Sequence, residues 1–425
     1  MIKVLLKGPL LTQSGYGHHA RTVLRALKTK SDVYDVYIQP ITWGHTSWLW
    51  QDNEERRLID DLLKKTINHT QTGGKFDMSI QVSIPNEWEK IAPINIGVTA
   101  GIETTKISPK WVEKSFLMDK ILTISEHAKS TYENTVVAAQ DNQGNQHQIK
   151  VDKPVEYISY PYREFKKKKL DLNLTTDFNF LAVAQLSARK NMGQLIRIFL
   201  DKFRDNENVG LIVKANTAKN SLIDREHTLS NFKNVLNEHK PYKCKVYLLH
   251  GFLTDEEMVG LYTHPKIKAM ISTTHGEGFG LPLFEAASHG LPIAATDWSG
   301  HLDFLYMPQK QKNGKYKKKS MFGKINYTMR QVQEQAVWDG VIERDSLWAF
   351  PEDASVRMNL TKLHEDVQHY EKRAKTLQKW IRKEFSEEKK YAEYLSHLEE
   401  YAAPFMQLDQ EIEDLFSELE PDTGE

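Results

Sequence analysis

The stretch His275-Gly276-Glu277-Gly278-Phe279-Gly280-Leu281-Pro282-Leu283-Phe284-Glu285-Ala286 decides how the rest of the chain is interpreted. It follows the apolar run Ala269–Ser272, which predicts a short buried strand. Pro282 suits a first helical position, and helical composition continues to His289. The stretch therefore predicts a strand, a glycine loop and a helix, and the free N–H groups of that helix N-terminus can bind an anion.

Two carboxylates accompany the glycines of this loop. Glu277 lies in the loop and Glu285 in the first turn of the helix, so that both can reach one crevice. A carboxylate accepts two hydrogen bonds from a vicinal diol, which suits it to a ribose or a hexose. Gly278 and Gly280 let the backbone approach a ligand closely. The combination predicts a sugar-nucleotide site; the alternative is an ordinary glycine turn before a core helix.

At these residues the sequence resembles retaining glycosyltransferases of the GT-B fold, in particular glycosyltransferase family 4. Their E-x7-E signature, written E-G-F-G-L-P-x-x-E-A, matches Glu277–Ala286 letter for letter. The resemblance implies an α/β fold in which two Rossmann-like domains face a cleft and a C-terminal helix crosses back to the first domain. It also implies that Glu277 binds donor-sugar hydroxyls, that Glu285 binds the ribose, and that the loop amides of 278–281 (Gly278, Phe279, Gly280, Leu281) hold the diphosphate.

Composition narrows the class of protein. The chain has 425 residues, and its 57 basic and 57 acidic residues balance, so no global field favours nucleic acid or an anionic membrane. The single cysteine, Cys244, rules out an internal disulfide framework and fits a reducing compartment. No stretch approaches the ~20 apolar residues of a membrane span. We therefore expect a cytoplasmic protein without an integral membrane segment.

A first glycine loop opens the chain. Ile2–Leu6 predicts a strand, and a helical pattern runs from His18 to Leu27. The resemblance implies that the intervening residues touch acceptor or diphosphate across the cleft; they are Gly15, Tyr16 and Gly17. Arg21, one turn into the helix, is either a phosphate contact or a solvated helix charge.

Further strands of the first domain are predicted near residues 36–39, 78–82, 94–100 and 120–125. The patterns T-A-x-x-E-T and D-x-I-x-T-x-S-E are similar to one branch of family 4 and imply that Glu103 and His127 face the cleft. Turn capping and a surface helix start are the open alternatives. Trp43, Trp48 and Trp50 form either a stacking wall for sugar or base, or a hydrophobic loop plug, which is favoured.

The second domain begins with a predicted strand, Phe178–Ala184, and a helix from Met192 to Phe203. In the resembled family an arginine and a lysine between these elements grip the donor diphosphate. Lys190 stands at the lysine position, but Gln185 replaces the arginine, and Arg189 is the candidate substitute. The family also seats the nucleotide base at a strand end that corresponds here to Gly251 and Phe252.

These features predict three segments: an acceptor domain over 1–163, a nucleotide-sugar domain over 164–375, and a crossing-back helix with an acidic tail over 376–425. Within them, Gln309–Lys319 is predicted to be a flexible basic insertion, and Glu371–Tyr401 a single charged helix.

The predicted activity, implied by the resemblance, is transfer of a hexose-like sugar from a nucleoside-diphosphate sugar to a hydroxyl, with retention at the anomeric carbon. UDP is favoured over GDP, and no cofactor is expected. The absence of an Asp-x-Asp pair or a spaced His/Cys cluster predicts metal independence. A carbohydrate or small-molecule acceptor is favoured.

Two alternatives remain. The chain's opening and its central loop look similar to phage-encoded members of the family, some of which glycosylate hydroxymethylated DNA bases. The lysine runs at 166–169 and 310–319 and the tryptophans would fit a nucleic acid acceptor. The alternative of another class is a catalytically inactive sugar-nucleotide-binding module.

Overall fold

A computed structural model of the protein describes residues 1–141 and 143–419, with 406–419 in backbone only. Residues 420–425, the end of the predicted acidic tail, lie outside the described residues. The elements of the first half are β1 (Ile2–Gly8), α1 (Gly15–Lys28), β2 (Tyr34–Pro40), α2 (Glu54–Gln71), β3 (Met78–Val82), β4 (Ile94–Val98), α3 (Pro109–Ser115), β5 (Lys120–Thr123), α4 (Glu126–Asn134), β6 (Val137–Gln140), β7 (Gln146–Ile149) and β8 (Val155–Tyr157).

The second half contains β9 (Phe178–Gln185), α5 (Met192–Phe203), β10 (Val209–Asn216), α6 (Leu222–Glu238), β11 (Lys245–Leu249), α7 (Asp255–Tyr262), β12 (Ile267–Ser272), α8 (Leu281–Ser288), β13 (Ile293–Thr296), α9 (Leu302–Leu305), β14 (Tyr306–Lys310), β15 (Tyr316–Ser320), β16 (Gly323–Ile325), β17 (Tyr327–Gln331), β18 (Leu347–Pro351), α10 (Asp353–Glu365), α11 (Val367–Glu384) and α12 (Glu387–Leu419).

Two parallel sheets of six strands form the framework. The first has the order β2-β1-β3-β4-β5-β8 and the second β11-β10-β9-β12-β13-β16. Their central strands are short apolar runs largely buried on both faces, as helix-covered parallel sheets require, whereas the edge strand β11 is only partly buried. In each sheet the strand order reverses beside the first strand, at β1/β3 and at β9/β12. Ligands bind at such reversals, outside the carboxyl ends of the strands. The two glycine loops therefore lie where this topology places binding sites.

The end of the chain returns to the first domain. Residues of α11 such as Leu377 and Ile381 pack with α8 in a core of the second domain, whereas Tyr394 and Leu398 of α12 pack against β1 and α1. The linker runs beside this crossing, because the Tyr162 N–H donates to the carbonyl of Phe385 at 2.6 Å. The crossing-back helix expected from the resemblance is confirmed.

One expectation was wrong in detail, and a second segment has a regular structure that was not predicted. The predicted helix over Glu371–Tyr401 is two helices, since α11 ends at Glu384 and α12 begins at Glu387. The break follows from Phe385, whose ring is buried in the second domain's core, so the chain must turn before it can reach the first domain. The predicted flexible insertion over Gln309–Lys319 is largely an antiparallel hairpin, β14–β15.

Candidate active site

The turn after β9 and the loop after β12 lie side by side at the strand reversal of the second sheet. The first is a single turn over Ala188–Lys190, which Asn191 ends in a left-handed conformation with φ 51°. The His275 N–H donates to the carbonyl of Arg189 at 2.8 Å. This bond joins the two segments, so that the basic pair 189–190 faces the central glycine loop.

Four charged side chains meet at this junction. The Lys190 Nζ lies 2.6 Å from one carboxylate oxygen of Glu277, and Arg189 Nη1 lies 3.1 Å from the other. Glu103 of the first domain approaches the same guanidinium at 3.4 Å, which places this predicted residue in the cleft. Burial raises the pKa of Glu277, but the charges of Lys190 and Arg189 outweigh it and lower that pKa to about 2. Glu277 is therefore a carboxylate at any physiological pH.

The backbone of the central loop offers unused donors. Gly280 is the N-cap of α8 with φ 89°, a left-handed conformation that favours glycine, and it provides no side-chain cap. Among the described residues, no hydrogen-bond acceptor is found for the N–H groups of Gly278, Phe279, Gly280 and Leu281. A helix N-terminus with free amides favours an anion through both hydrogen bonds and the helix dipole.

Two glycines of this loop pack closely against the backbone of the first domain. A Cβ on Gly278 would lie 2.2 Å from the carbonyl oxygen of Ala100, and one on Gly276 would lie 2.3 Å from that of Glu103. Both carbonyls belong to the first domain. Gly278 therefore lets the loop pack directly against the opposite domain, and its expected role in ligand approach stays a prediction.

Glu285 lies one turn into α8, in a different environment from Glu277. It accepts a hydrogen bond from the Tyr262 hydroxyl at 2.8 Å, in a small cavity beside the main cleft. Burial raises the pKa of Glu285 to about 7, and the Tyr262 hydrogen bond offsets only part of this effect. The glycine loop and the first turn of α8 thus separate a carboxylate whose pKa is lowered from one whose pKa is raised.

The main cleft between the domains is a cavity of about 430 Å³. Gly251 and Phe252 line its second-domain wall and Gly15 its first-domain wall, as expected from the sequence. The rim is closed in part by Trp50, whose ring lies edge-on to Phe252 at 6.2 Å and is 69% exposed. Trp43 instead packs on Tyr16 at 4.3 Å. The three tryptophans therefore do not form one wall.

Other predicted residues lie outside this cleft or hold its walls. The Tyr16 hydroxyl is hydrogen-bonded to the Thr99 hydroxyl at 2.7 Å. The Gly17 N–H donates to Ser14 Oγ at 2.9 Å. Arg21 is bound to the carbonyl oxygens of Leu10 and Thr12, so it supports the first loop.

His127 lines a separate groove between the domains and lies 4.8 Å from the Trp298 ring. Its Nε2 is buried and has no partner within the described part of the chain. Asp303 accepts a hydrogen bond from the Glu126 N–H at 2.8 Å. It therefore caps α4 of the opposite domain.

Several lining residues were not anticipated. Asp255, Met258 and Tyr262 line the small cavity from α7, and His18 and Arg163 complete its edge. The spacing of the three α7 residues places them on one helix face, a signal that the sequence contained. His18 and Arg163 offered no comparable pattern.

The described part of the chain contains neither a cluster of metal ligands nor a helix that could span a membrane. Over residues 1–141 and 143–405, no group of three or more His, Cys, Asp or Glu side chains could hold a metal ion. In the same part of the chain, every helix is too short or too polar to cross a bilayer.

Solved structures share this architecture. HepE of Anabaena, in complex with UDP and glucose, aligns with a TM-score of 0.57 at 13% identity, over 94% of this chain and all of that one. Sucrose-phosphate synthase from Thermosynechococcus elongatus aligns with a TM-score of 0.57 at 11% identity, over 98% of this chain and all of that one. The fold is GT-B. At these identities the likeness concerns the fold alone.

Sequence comparison locates a related segment. Residues 163–314 match the family model described as Glycosyl transferases group 1, a range that includes both 189–190 and the central loop. The serotype-specific mannosyltransferase WbdA of Escherichia coli is 30% identical over 121 residues, which are 28% of this chain. The match spans only 13% of that relative's length.

Proposed function

We propose that this protein is a retaining glycosyltransferase that moves a hexose-like sugar from a nucleoside-diphosphate sugar to an acceptor hydroxyl. The observation that carries the proposal is the run of amides at 278–281, which have no acceptor in the described part of the chain and lie in the same loop and helix start as the Lys190–Glu277 ion pair and Glu285. The amides and Lys190 suit a diphosphate, and the carboxylates suit the hydroxyls of the sugar and the ribose. A group 1 glycosyl transferase segment over 163–314 supports the same activity.

The proposed reaction exchanges two bonds at the anomeric carbon. The bond from that carbon to the diphosphate oxygen breaks, and a bond to the acceptor oxygen forms on the same face. The acceptor's proton passes to the departing diphosphate oxygen, so no protein base is required. Lys190 and the loop amides stabilise the charge that develops on the diphosphate, and Glu277 orients the sugar. Arg189 fixes Glu277 through its 3.1 Å contact.

The test is release of nucleoside diphosphate from a panel of UDP-, GDP- and ADP-sugars, with and without candidate acceptors. HepE, bound to UDP and glucose, makes UDP-glucose the first donor to try. We expect one donor class to be turned over, and Glu277→Ala to abolish turnover while folding normally. Tight donor binding without any turnover would instead support the sugar-nucleotide-binding module. Binding of no nucleotide sugar would contradict both.

A second candidate acceptor is hydroxymethylated DNA, in place of a carbohydrate or small molecule. It is favoured by the β14–β15 hairpin, whose exposed lysines are 310, 312, 315, 317, 318 and 319. Only Lys318 has an ion-pair partner, Glu126, in the described residues. A two-stranded ribbon fits the major groove of a duplex. Salt-sensitive labelling of a hydroxymethylated duplex, but not of an unmodified duplex or of glycans, would select this acceptor.

A further inference from the structure

The resemblance implies an arginine and a lysine at the donor diphosphate, and only the lysine, Lys190, stands at its corresponding position in this chain. The Gln185 side chain, at the arginine position, donates to the carbonyl of Thr217 at 3.2 Å and carries no charge. Arg189 is already bound on three sides: to the carbonyl of Gly276 at 2.6 Å, to Glu277 and to Glu103. Moving its guanidinium to a diphosphate would take a partner from the buried Glu277 and from the partly buried Glu103. Arg189 is therefore a poor replacement.

A different arginine lies where the two cavities of the site meet. The main cleft and the small cavity of Glu285 share five lining residues, and Arg163 is the only cation among them; the others are His18, Asp255, Met258 and Leu281. Leu281 carries the last free amide of the central loop, and Glu285 follows one helical turn later. Arg163 therefore stands between the place that suits a phosphate and the place that suits a ribose.

Arg163 contacts one aromatic ring and one carboxylate in the described part of the chain, and its guanidinium carbon lies 4.9 Å from the centre of the Phe165 ring. Its Nε lies 3.4 Å from Glu387, and these side chains are 27% and 42% exposed. Such a half-exposed pair contributes little stability, because water screens it. Glu387 has a second donor in the Tyr391 hydroxyl. The guanidinium can thus exchange its carboxylate for a phosphate, to which its planar fork can give two hydrogen bonds.

We propose that Arg163 is a phosphate-binding residue of the donor site and supplies the cation that Gln185 lacks. This assignment rests on the proposed function of the central loop. In it, Arg163 binds the phosphate nearer the ribose, and Lys190 with the amides of 278–281 binds the phosphate nearer the sugar. Because Arg163 follows Tyr162, which is bonded to Phe385 where the chain crosses between domains, the donor would contact the interdomain connection directly.

Calorimetry on the full chain tests the assignment with a diphosphate and its nucleoside, starting with UDP and uridine. Arg163→Gln should weaken UDP binding by at least about tenfold, the scale of one charge-assisted hydrogen bond, and leave uridine binding unchanged. Arg163→Lys should restore part of the loss. Arg189→Gln should reduce UDP affinity less than Arg163→Gln does.

Glu387→Gln is the matched control, because it removes the present partner of Arg163 and leaves the arginine in place. We expect UDP binding by Glu387→Gln to equal or exceed that of the wild type. A loss as large as that of Arg163→Gln would show that the ion pair is structural and would overturn the assignment. Equal UDP affinity in Arg163→Gln and wild type would overturn it too. If the wild type binds neither UDP, GDP nor ADP, the proposed function itself fails.

Discussion

The two glycine loops of this protein share a plan and differ in how their helix starts are satisfied. The first loop follows β1 at the β1/β3 reversal, and the second follows β12 at the β9/β12 reversal. Each leads into a helix. In the first loop Ser14 caps α1 by accepting from the Gly17 N–H. In the second loop Gly280 cannot cap α8, and four consecutive amides have no partner among the described residues. In the first loop a side chain thus takes up one amide of the helix N-terminus, while the N–H groups of Gly15 and Tyr16 also lack an acceptor among the described residues; in the second loop no side chain caps the helix.

The glycines also differ in what they permit. A Cβ on Gly15 would meet nothing within 4 Å, whereas one on Gly278 would lie 2.2 Å from the carbonyl of Ala100. Gly17 of the first loop is packed as well, but within its own loop, since its Cβ would lie 2.2 Å from the carbonyl oxygen of Thr12. A glycine-rich sequence alone therefore does not distinguish a glycine with room for a side chain from one that is packed against another domain. The difference makes the second loop both the binding element and part of the domain interface.

The largest effect on kcat/KM is expected from a side chain added at Gly278, where the loop packs against the first domain. Gly278→Ala forces the loop away from Ala100, and a displacement of about 1 Å at the reacting groups lowers kcat/KM by about a hundredfold. Gly15→Ala should change kcat/KM less than about threefold, since its added methyl has room. Donor turnover by both variants, with thermal unfolding as a check on folding, makes the comparison. Equal losses would mean that the two loops do not differ as described.

Glu285→Gln should lower kcat/KM by at least about tenfold, because a charge-assisted contact to the ribose is lost. The pH dependence sharpens this prediction. With the pKa of Glu285 raised to about 7, the carboxylate that accepts from the ribose is depleted below pH 7. Donor affinity should therefore fall by up to about tenfold for each pH unit below 7 and level off above it.

The step near pH 7 should be absent in Glu285→Gln, which has no group to titrate there. An unaltered step in that variant would assign the pH dependence to another group, such as Asp303, whose pKa burial also raises to about 7. Near wild-type turnover in folded Glu285→Gln would remove Glu285 from the donor site.

Lys190→Ala separates the diphosphate contact from the rest of the nucleotide. We expect it to weaken binding of a nucleoside diphosphate by about tenfold and binding of the matching nucleoside hardly at all. The reason is that Lys190 lies beside the free amides and can exchange Glu277 for phosphate oxygens. Equal losses for both ligands in calorimetry would indicate a structural lysine.

The smallest expected effect is that of metal removal. If Lys190 and the loop amides neutralise the leaving diphosphate, EDTA should leave turnover unchanged, and added magnesium or manganese should not raise it. Activity that EDTA abolishes and manganese restores would require carboxylates at the diphosphate instead.

The sequence predicted most of this framework because its signals are local. Strand β3 and helix α5 have the predicted bounds, and the order strand, glycine loop, helix holds at both reversals. The break at Phe385 was missed because a continuous helical pattern does not reveal that the chain must change domains there. Glu103 was found through its motif, whereas Arg163 was not, because its position depends on how two cavities meet across the linker. Contacts between residues far apart in the chain produce no regular spacing in the sequence, so they cannot be predicted as a helix or strand can.

Backbone hydrogen exchange tests most directly whether the second loop, and not the first, receives the diphosphate. The full chain would be compared with and without a saturating concentration of the nucleoside diphosphate that binds it, UDP first. The structure predicts slower exchange in peptides that cover 276–284 and a much smaller change over 14–18, where Ser14 already holds the Gly17 amide. Protection confined to 14–18, with 276–284 unchanged while the nucleotide is bound, would contradict the account.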